Sequence, residues 1–139
     1  MKDRRGFTLI ELIFVIVLLG IFTCMAAPAL FSIVQQQQLR GEARFFTSSL
    51  RGLQQKALTT EATAVMLFSP PSSYTVQEKI HQLSADINYQ VLPAGTAQVS
   101  YSSLGAPTPA PLTIQFFDQE GRTVEVTLTV TGRVKSSNP

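Results

Sequence analysis

The N-terminal part of the chain is dominated by one apolar run. Residues 12–34 carry no charged side chain, which makes 23 consecutive uncharged positions, and a helix needs about 20 apolar residues to cross the core of a bilayer. Glu11 stands at the start of this run, directly behind a short charged segment. A carboxylate inside a membrane span costs about 2.5–3.5 kcal/mol on insertion-derived scales. Glu11 is therefore expected to have a function and a partner.

Helical periodicity continues after a polar stretch at residues 35–38. Apolar positions then recur at steps of three and four residues and form one stripe about 80° wide on a helix. They are Leu39, Ala43, Phe46, Leu50, Leu53 and Ala57. The pattern predicts a helix over residues 7–58 whose second half packs on a globular domain. Pro28 lacks a backbone donor, so a kink or local loosening of the helix is expected there.

A different face of the same helix carries three arginines. At about 100° per residue, Arg40, Arg44 and Arg51 fall within about 40° of one another. A solvated face is the simplest interpretation. Contact with another subunit or with a polyanion is the alternative.

Beyond Ala62 the pattern changes to short extended segments separated by turns. Strands are predicted at residues 64–69, 74–78, 87–92 and 97–101. The three prolines within residues 105–111 predict a loop. Apolar and polar residues then alternate over 112–117 and 123–130, across a turn at 118–121, which predicts a hairpin with one buried and one polar face. A last short strand is expected at 133–135.

Charge and composition exclude several classes of function. The first six residues already supply the net charge of +2, and the remainder has eight basic and eight acidic side chains. No overall positive charge that would attract nucleic acid is therefore expected. The single cysteine, Cys24, permits no disulfide within the chain. The chain has one histidine, no glycine-rich phosphate loop and no nucleophile with a recognisable base, so neither catalysis nor a cofactor is expected.

Three acids near the predicted hairpin turn are candidates for metal binding. Asp86, Asp118 and Glu120 are of the type that binds calcium. Acids beside a turn more commonly serve the turn itself. No metal site is therefore expected, and His81 is expected to be an ordinary surface residue.

Three ordinary interpretations of the N-terminal segment fit poorly. A secretory signal needs a clean apolar centre, which Glu11 interrupts, and its nearest cleavage site has Pro28 in the middle. A lipoprotein signal would use Cys24, but bulky Phe22 and Thr23 precede that cysteine. A plain transmembrane anchor explains the length of the run and its positive flank. It leaves Glu11 unexplained.

The segment from Arg4 to residue 30 closely resembles the type III signal of type IV pilins and type II secretion pseudopilins. The resemblance lies in Gly6 followed by Phe7-Thr8-Leu9-Ile10-Glu11, between a charged leader and a long apolar run. Gly20 and Pro28 also stand where that family commonly has glycine and proline. It implies cleavage between Gly6 and Phe7 by a prepilin peptidase and N-methylation of Phe7. It also implies that Glu11 of an incoming subunit pairs with the Phe7 ammonium of its neighbour.

The order of elements predicts an α+β protein with a pilin-like fold. A long N-terminal α-helix, with a transmembrane half and an amphipathic half, is expected to pack on a C-terminal antiparallel β-sheet domain. The expected segments are a leader peptide at 1–6, a membrane and assembly helix at 7–34, an amphipathic helix at 35–60 and a β-rich domain at 61–139. The resemblance implies a single-pass protein of the bacterial inner membrane with its C-terminal domain in the periplasm.

The order of elements and the closing pattern, a hairpin with an Asp-x-x-Gly turn followed by Gly132-Arg133-Val134, resemble minor pseudopilins of the GspH type and the related FimT-type minor pilins. The function this resemblance implies is that of a minor pseudopilin, with a major pseudopilin or another minor pilin as open alternatives. Its partners would be other pilins or pseudopilins, the prepilin peptidase and an inner-membrane assembly platform. The alternative is a minor type IV pilin that acts in pilus assembly or DNA uptake, because Gly132-Arg133-Val134-Lys135 is close to a Gly-Arg-x-Arg element found in some of these pilins. If the chain acts in DNA uptake, Arg122, Arg133 and Lys135 are expected to form a small positive patch at one end of the sheet, as a possible polyanion contact. DNA binding is expected to be weak.

Overall fold

The computed structural model describes residues 8–137, with the side chain of Ala29 left out. Gly6 and Phe7 lie outside the described residues. The chain divides into two compact units, Met1–Gln35 and Gln36–Pro139. One helix, α1 (Leu9–Thr60), contributes residues to both units.

The part of α1 that belongs to the first unit exposes mainly apolar side chains. Its 18-residue window of highest hydropathy has a mean of 2.7, and none of that window is buried. By length and composition it is able to cross a membrane. The helix is continuous through Pro28, because a long helix tolerates the one missing backbone donor. The expected kink at Pro28 stays a prediction.

In the second unit α1 buries the predicted stripe. All six of its apolar side chains are at most 1% exposed, from Leu39 to Ala57. Phe46 shows what they pack against, since its ring meets Tyr74 edge-on at 4.9 Å and Phe116 at 5.3 Å. Tyr74 and Phe116 belong to different sheets, so this helix forms one core with both.

The nine strands within residues 8–137 form two antiparallel sheets. The first sheet has the order β3-β2-β1-β5-β6, and the second has the order β4-β7-β8-β9. The strands are β1 (Ala64–Ser69), β2 (Ser73–Val76), β3 (Lys79–Gln82), β4 (Ile87–Leu92), β5 (Gln98–Tyr101), β6 (Pro107–Thr108), β7 (Leu112–Asp118), β8 (Thr123–Leu128) and β9 (Val134–Ser137). The α+β prediction of a helix packed on antiparallel sheets is confirmed.

The β7–β8 hairpin has the predicted two faces. Buried and half-buried positions alternate along both strands, with Ile114 paired to Val126 and Phe116 paired to Val124 on the core face. The prediction that the strand extends to Val130 is wrong. Val130 is 62% exposed and lies in the turn after β8, because the chain reverses there to form β9.

Strands β3 and β6 lie outside the predicted strand segments, and the last predicted strand is displaced along the sequence. Strand β3 is an edge strand with little burial, so its side chains show no apolar alternation. Strand β6 lies inside the predicted proline loop and pairs with β5 through Pro107 and Thr108. The last strand runs over Val134–Ser137 rather than 133–135. Each depends on a partner strand that local sequence does not reveal.

The three tyrosines are all sealed inside the second unit. Tyr74, Tyr89 and Tyr101 are at most 1% exposed. Tyr89 donates its hydroxyl to the carbonyl of Ser73 at 2.6 Å and accepts from the backbone N–H of Ser69 at 2.9 Å. Burial raises the pKa of Tyr89 and of Tyr101 to about 12. These rings are therefore reporters of the intact core.

The turn between β7 and β8 is organised by Asp118. Its Oδ1 accepts from the backbone N–H groups of Glu120 at 3.0 Å and Arg122 at 2.9 Å, and its Oδ2 accepts from Nε of Arg122 at 2.6 Å. Burial acts to raise the pKa of Asp118, but the hydrogen bonds and charge of Arg122, with the N–H of Glu120, outweigh it and hold the pKa below its usual range. Gly121 follows at φ 79°, a conformation that suits glycine.

Replacing Phe46 by alanine is expected to destabilise the second unit strongly. The ring is fully buried, and truncating such a side chain costs about 3–5 kcal/mol. Urea unfolding of the full chain in detergent, followed by tyrosine fluorescence, measures the loss. The matched control is Phe45→Ala, since Phe45 is 51% exposed and its loss should stay below about 1.5 kcal/mol. Equal losses in the two variants would contradict the core assignment.

Replacing Asp118 by asparagine is expected to lower stability at neutral pH and to alter its acid dependence. The folded pKa lies below the unfolded one, so the ionised carboxylate stabilises the fold above about pH 4 and this contribution is lost as the pH falls through the folded pKa. The loss at pH 7 should be about 1–3 kcal/mol. It should shrink below about pH 4.

Urea titrations between neutral and acid pH test this prediction, with Asp86→Asn as the control. Asp86 is exposed and accepts one hydrogen bond, from the side chain of Gln119 at 2.9 Å. A difference between wild type and Asp118→Asn that stays constant from neutral to acid pH would refute the role given to the carboxylate.

Candidate functional site

Glu11 lies in the first turn of α1 on an apolar surface. Its side chain is exposed beside Ile10, Ile13 and Phe14, and no described residue forms an ion pair with it. Thr8 precedes the helix, and its Oγ1 accepts from the backbone N–H of Glu11 at 3.3 Å. Threonine followed three residues later by glutamate is the pattern of a capping box. Thr8 therefore caps the backbone at Glu11, while the Glu11 carboxylate forms no ion pair with any residue that the structure describes.

The register of the second sheet separates the basic residues that were expected to share one patch. Arg122 precedes β8, whereas Arg133 follows the turn at its other end. Lys135 pairs with Thr127 near that second end. Arg122 is moreover held by Asp118 and by Oε2 of Glu120 at 3.1 Å. The expected three-residue patch is therefore wrong, and Arg122 is not part of it.

Arg133 and Lys135 instead share a cleft with the helix. The cleft has a volume of about 440 Å³. It is lined by Arg51, Gln54, Thr131, Gly132, Arg133, Val134 and Lys135, and these residues define the basic cleft. No carboxylate lines it, and within residues 8–137 its three cations form no ion pair. Sequence reasoning placed Arg51 on a separate helix face, and only the fold brings it beside Arg133.

The basic cleft is shaped by a close approach of three segments. Nε2 of Gln54 donates to the carbonyl of Gly105 at 3.0 Å. Gly132 has φ 77°, and a Cβ there would collide with that same Gln54 amide. The turn is closed by hydrogen bonds between Thr129 and Arg133. Gly132 therefore allows the turn to lie against the helix, and this contact sets the backbone position of Arg133.

The face of α1 with three arginines leads into the basic cleft. Arg40 and Arg44 precede Arg51 on the same face, and Arg44 and Arg51 are exposed. The helical rise separates Arg44 from Arg51 by about 10 Å. The arginine face of α1 and the basic segment at residues 133–135 therefore meet at Arg51.

A second polar cluster joins the helix to β3 and to the segment that follows it. Oε1 of Glu42 accepts from the Ser84 hydroxyl at 3.1 Å, and its Oε2 lies 3.2 Å from Nε2 of His81. The ring of His81 stacks on Phe45 at 4.5 Å. Ser84 and His81 both contact the carboxylate rather than each other, so the nucleophile–base contact of a hydrolase is not made here. The cluster ties the edge strand to the helix, a role that the expectation for His81 missed.

The described residues contain no group of three potential metal ligands. Both oxygens of Asp118 accept hydrogen bonds within the turn, and Oδ1 of Asp86 accepts one from the side chain of Gln119. These contacts assign two of the three acids weighed for calcium to local hydrogen bonding.

Comparison with known proteins matches both parts of the chain. Residues 1–27 match the model of the prokaryotic N-terminal methylation motif. No curated protein matches the chain.

Solved structures match the fold at low sequence identity. The type IV minor pilin FimU of Pseudomonas aeruginosa is similar with a TM-score of 0.64 and 11% identity, over 76% of this chain and 92% of that one. The minor pseudopilin EpsH from the type 2 secretion system of Vibrio cholerae is similar with a TM-score of 0.60 and 15% identity, over 73% and 98%. At these identities the likeness concerns the fold. The chain therefore carries an N-terminal methylation motif and has the fold that a minor pilin and a minor pseudopilin share.

Proposed function

We propose that the chain is a minor pseudopilin, a structural subunit of the periplasmic filament of a type II secretion system. The observation that carries this proposal is Glu11, a carboxylate on the apolar surface of α1 that forms no ion pair with any described residue and stands four residues after Phe7. The methylation motif and the pilin-like fold support it. The function is assembly, so no catalytic residue or cofactor is assigned.

The proposed assembly contact joins Glu11 of one subunit to the N-terminus of another. Cleavage after Gly6 gives Phe7 a free ammonium group. Four residues of helix rise only about 6 Å, so a small axial stagger between parallel helices brings the carboxylate of one beside the ammonium of the next. Such a pair attracts far more strongly in an apolar medium than in water. An unpaired charge is costly there, which favours the assembled state.

The proposed partners and location follow from the same contact. A prepilin peptidase removes residues 1–6, and other pilins or pseudopilins surround residues 7–34 after assembly from an inner-membrane platform. The amphipathic helix at 35–60 and the β-rich domain at 61–139 then lie in the periplasm. The positively charged leader stays on the cytoplasmic side.

The second candidate function is that of a minor type IV pilin in DNA uptake. The basic cleft favours it, because Arg51 adds a second guanidinium to Arg133 and Lys135 with no carboxylate nearby. Both a minor pilin and a minor pseudopilin share the fold. We place this candidate second because only three cations line the cleft and the chain beyond its first six residues has no net charge.

Glu11→Gln is expected to reduce recruitment into the filament strongly while leaving membrane insertion intact. Glutamine preserves the capping-box pattern with Thr8 but lacks the charge that pairs with Phe7. The measurement is co-purification with other pilin-like subunits from membranes, compared with the amount of chain inserted. Undiminished co-purification of Glu11→Gln would refute the charge-pairing role.

Two further variants separate charge from processing. Glu11→Val removes both the charge and the capping-box side chain, so a loss in Val but not in Gln would assign Glu11 to helix capping alone. Replacing Gly6 by a bulky residue should leave the leader attached and the Phe7 ammonium absent. Intact-mass measurement verifies this, and that variant should fail in recruitment as Glu11→Gln does.

Duplex DNA is expected to bind the full chain weakly. Three phosphate contacts give a slope of about −2.7 in log affinity against log salt and little affinity at about 150 mM. Titration of labelled duplex with the chain in detergent, at several salt concentrations, measures this. Micromolar binding at that salt, lost in Arg133→Ala with Lys135→Ala but retained in Lys79→Ala on exposed β3, would establish the second candidate function instead.

A further inference from the structure

The two ends of the β7–β8 hairpin carry opposite charge. At the hairpin turn, Asp86, Asp118 and Glu120 accompany one cation, Arg122, and these four residues define the acidic turn. Their formal charge is −2. The basic cleft at the other end of β8 has Arg51, Arg133 and Lys135 and no acid, which gives +3. The second unit is therefore electrically polar along this hairpin.

The two ends cannot meet within one chain. Strand β8 has six residues, which span about 20 Å. The helix gives a similar separation between the two ends. The segment leading to Asp86 contacts α1 at Glu42, and the turn that lines the basic cleft contacts α1 at Gln54. Those 12 residues of helix rise about 18 Å. Neutralisation of the basic cleft by the acidic turn requires a second molecule.

Both ends have unused capacity for such a contact. Glu120 pairs with Arg122 through Oε2 but is half exposed, and within residues 8–137 exposed Asp86 accepts a hydrogen bond at one oxygen only. On the other side, the guanidinium groups of Arg51 and Arg133 are suited to carboxylates, which they bind through paired N–H donors. Lys135 is at the rim, because strand alternation turns it to the same outer face as Thr127.

We propose that the basic cleft receives the acidic turn of a second copy of this chain. Glu120 and Asp86 are the contacting carboxylates, whereas Asp118 stays committed to its own turn. Different surfaces of the two copies meet, so the contact is heterologous and extends into a filament unless its rotation closes a ring. The inference rests on the proposed function as a filament subunit, to which it adds a contact outside the N-terminal helix.

The basic cleft presents three cations to a ligand, whereas a nucleic acid presents phosphate charges one after another along its backbone. Charge complementarity between the ends also fixes which surfaces meet, and it suppresses contacts between like ends.

Zero-length carbodiimide cross-linking tests the contact, because it joins an amine to a carboxylate only when they touch. We expect Lys135 to cross-link to Glu120 or Asp86 in the full chain in detergent. A mixture of unlabelled and ¹⁵N-labelled chains shows by mass spectrometry that the link is between molecules. Lys135→Arg should abolish the cross-link yet keep association, since it removes the reactive amine and retains the charge. About 1 M salt should suppress both.

A charge exchange provides the matched control for folding. Arg133→Glu with Lys135→Glu gives a chain with two acidic ends, and Asp86→Lys with Glu120→Lys gives one with two basic ends. Each variant alone should lose association in sedimentation velocity, and an equimolar mixture should regain it through the complementary ends. Recovery in the mixture shows that neither variant is merely misfolded.

Three results would overturn the proposal. The first is a wild-type chain in which Lys135 forms no intermolecular link to Asp86 or Glu120. The second is a mixture that does not regain association, and the third is duplex DNA that occupies the cleft and removes the cross-link at about 150 mM salt. None of these results depends on Glu11, so a chain that fails here and still shows the Glu11→Gln defect retains the proposed function.

Discussion

Burial of one helical stripe holds the second unit together. Phe46 contacts Tyr74 of the first sheet and Phe116 of the second, and its neighbours along α1 continue that contact from Leu39 to Ala57. Burying this stripe removes apolar surface of the helix and of both sheets from water at once. The positions of Glu42 beside the edge strand and of Gln54 beside the basic cleft follow from it.

Local periodicity made the helix and the central hairpin predictable. Apolar residues of the stripe recur at steps of three and four, and those of β7 and β8 alternate with a period of two. The buried face of each element can therefore be identified from a few residues of sequence. Strands β3 and β6 have no such apolar periodicity. Strand β3 is an edge strand with exposed side chains, and β6 consists of Pro107 and Thr108 held by β5. Their existence depends on tertiary pairing, which single-sequence patterns do not contain.

The same distinction applies to the candidate sites. Glu11 is recognisable because its significance lies in a contiguous motif and an uninterrupted apolar run. Arg122 was grouped with Arg133 because the two lie close in sequence, yet a six-residue strand between two turns carries them to opposite ends. Arg51 is 82 residues before Arg133 in the sequence, and it reaches the cleft only because the helical stripe fixes the rotation of α1.

The close approach at Gly132 changes how the sequence Gly-Arg-x-Lys should be interpreted. Its glycine meets a steric demand, since the amide of Gln54 occupies the space a side chain would need, and its cations set the charge of the cleft. The two requirements are independent of each other. Among related chains, a glycine retained at this position is therefore explained by the left-handed backbone of the turn, with φ 77° at Gly132, and says nothing about the ligand. The ligand class is to be inferred from the residues at positions 51, 133 and 135 taken together.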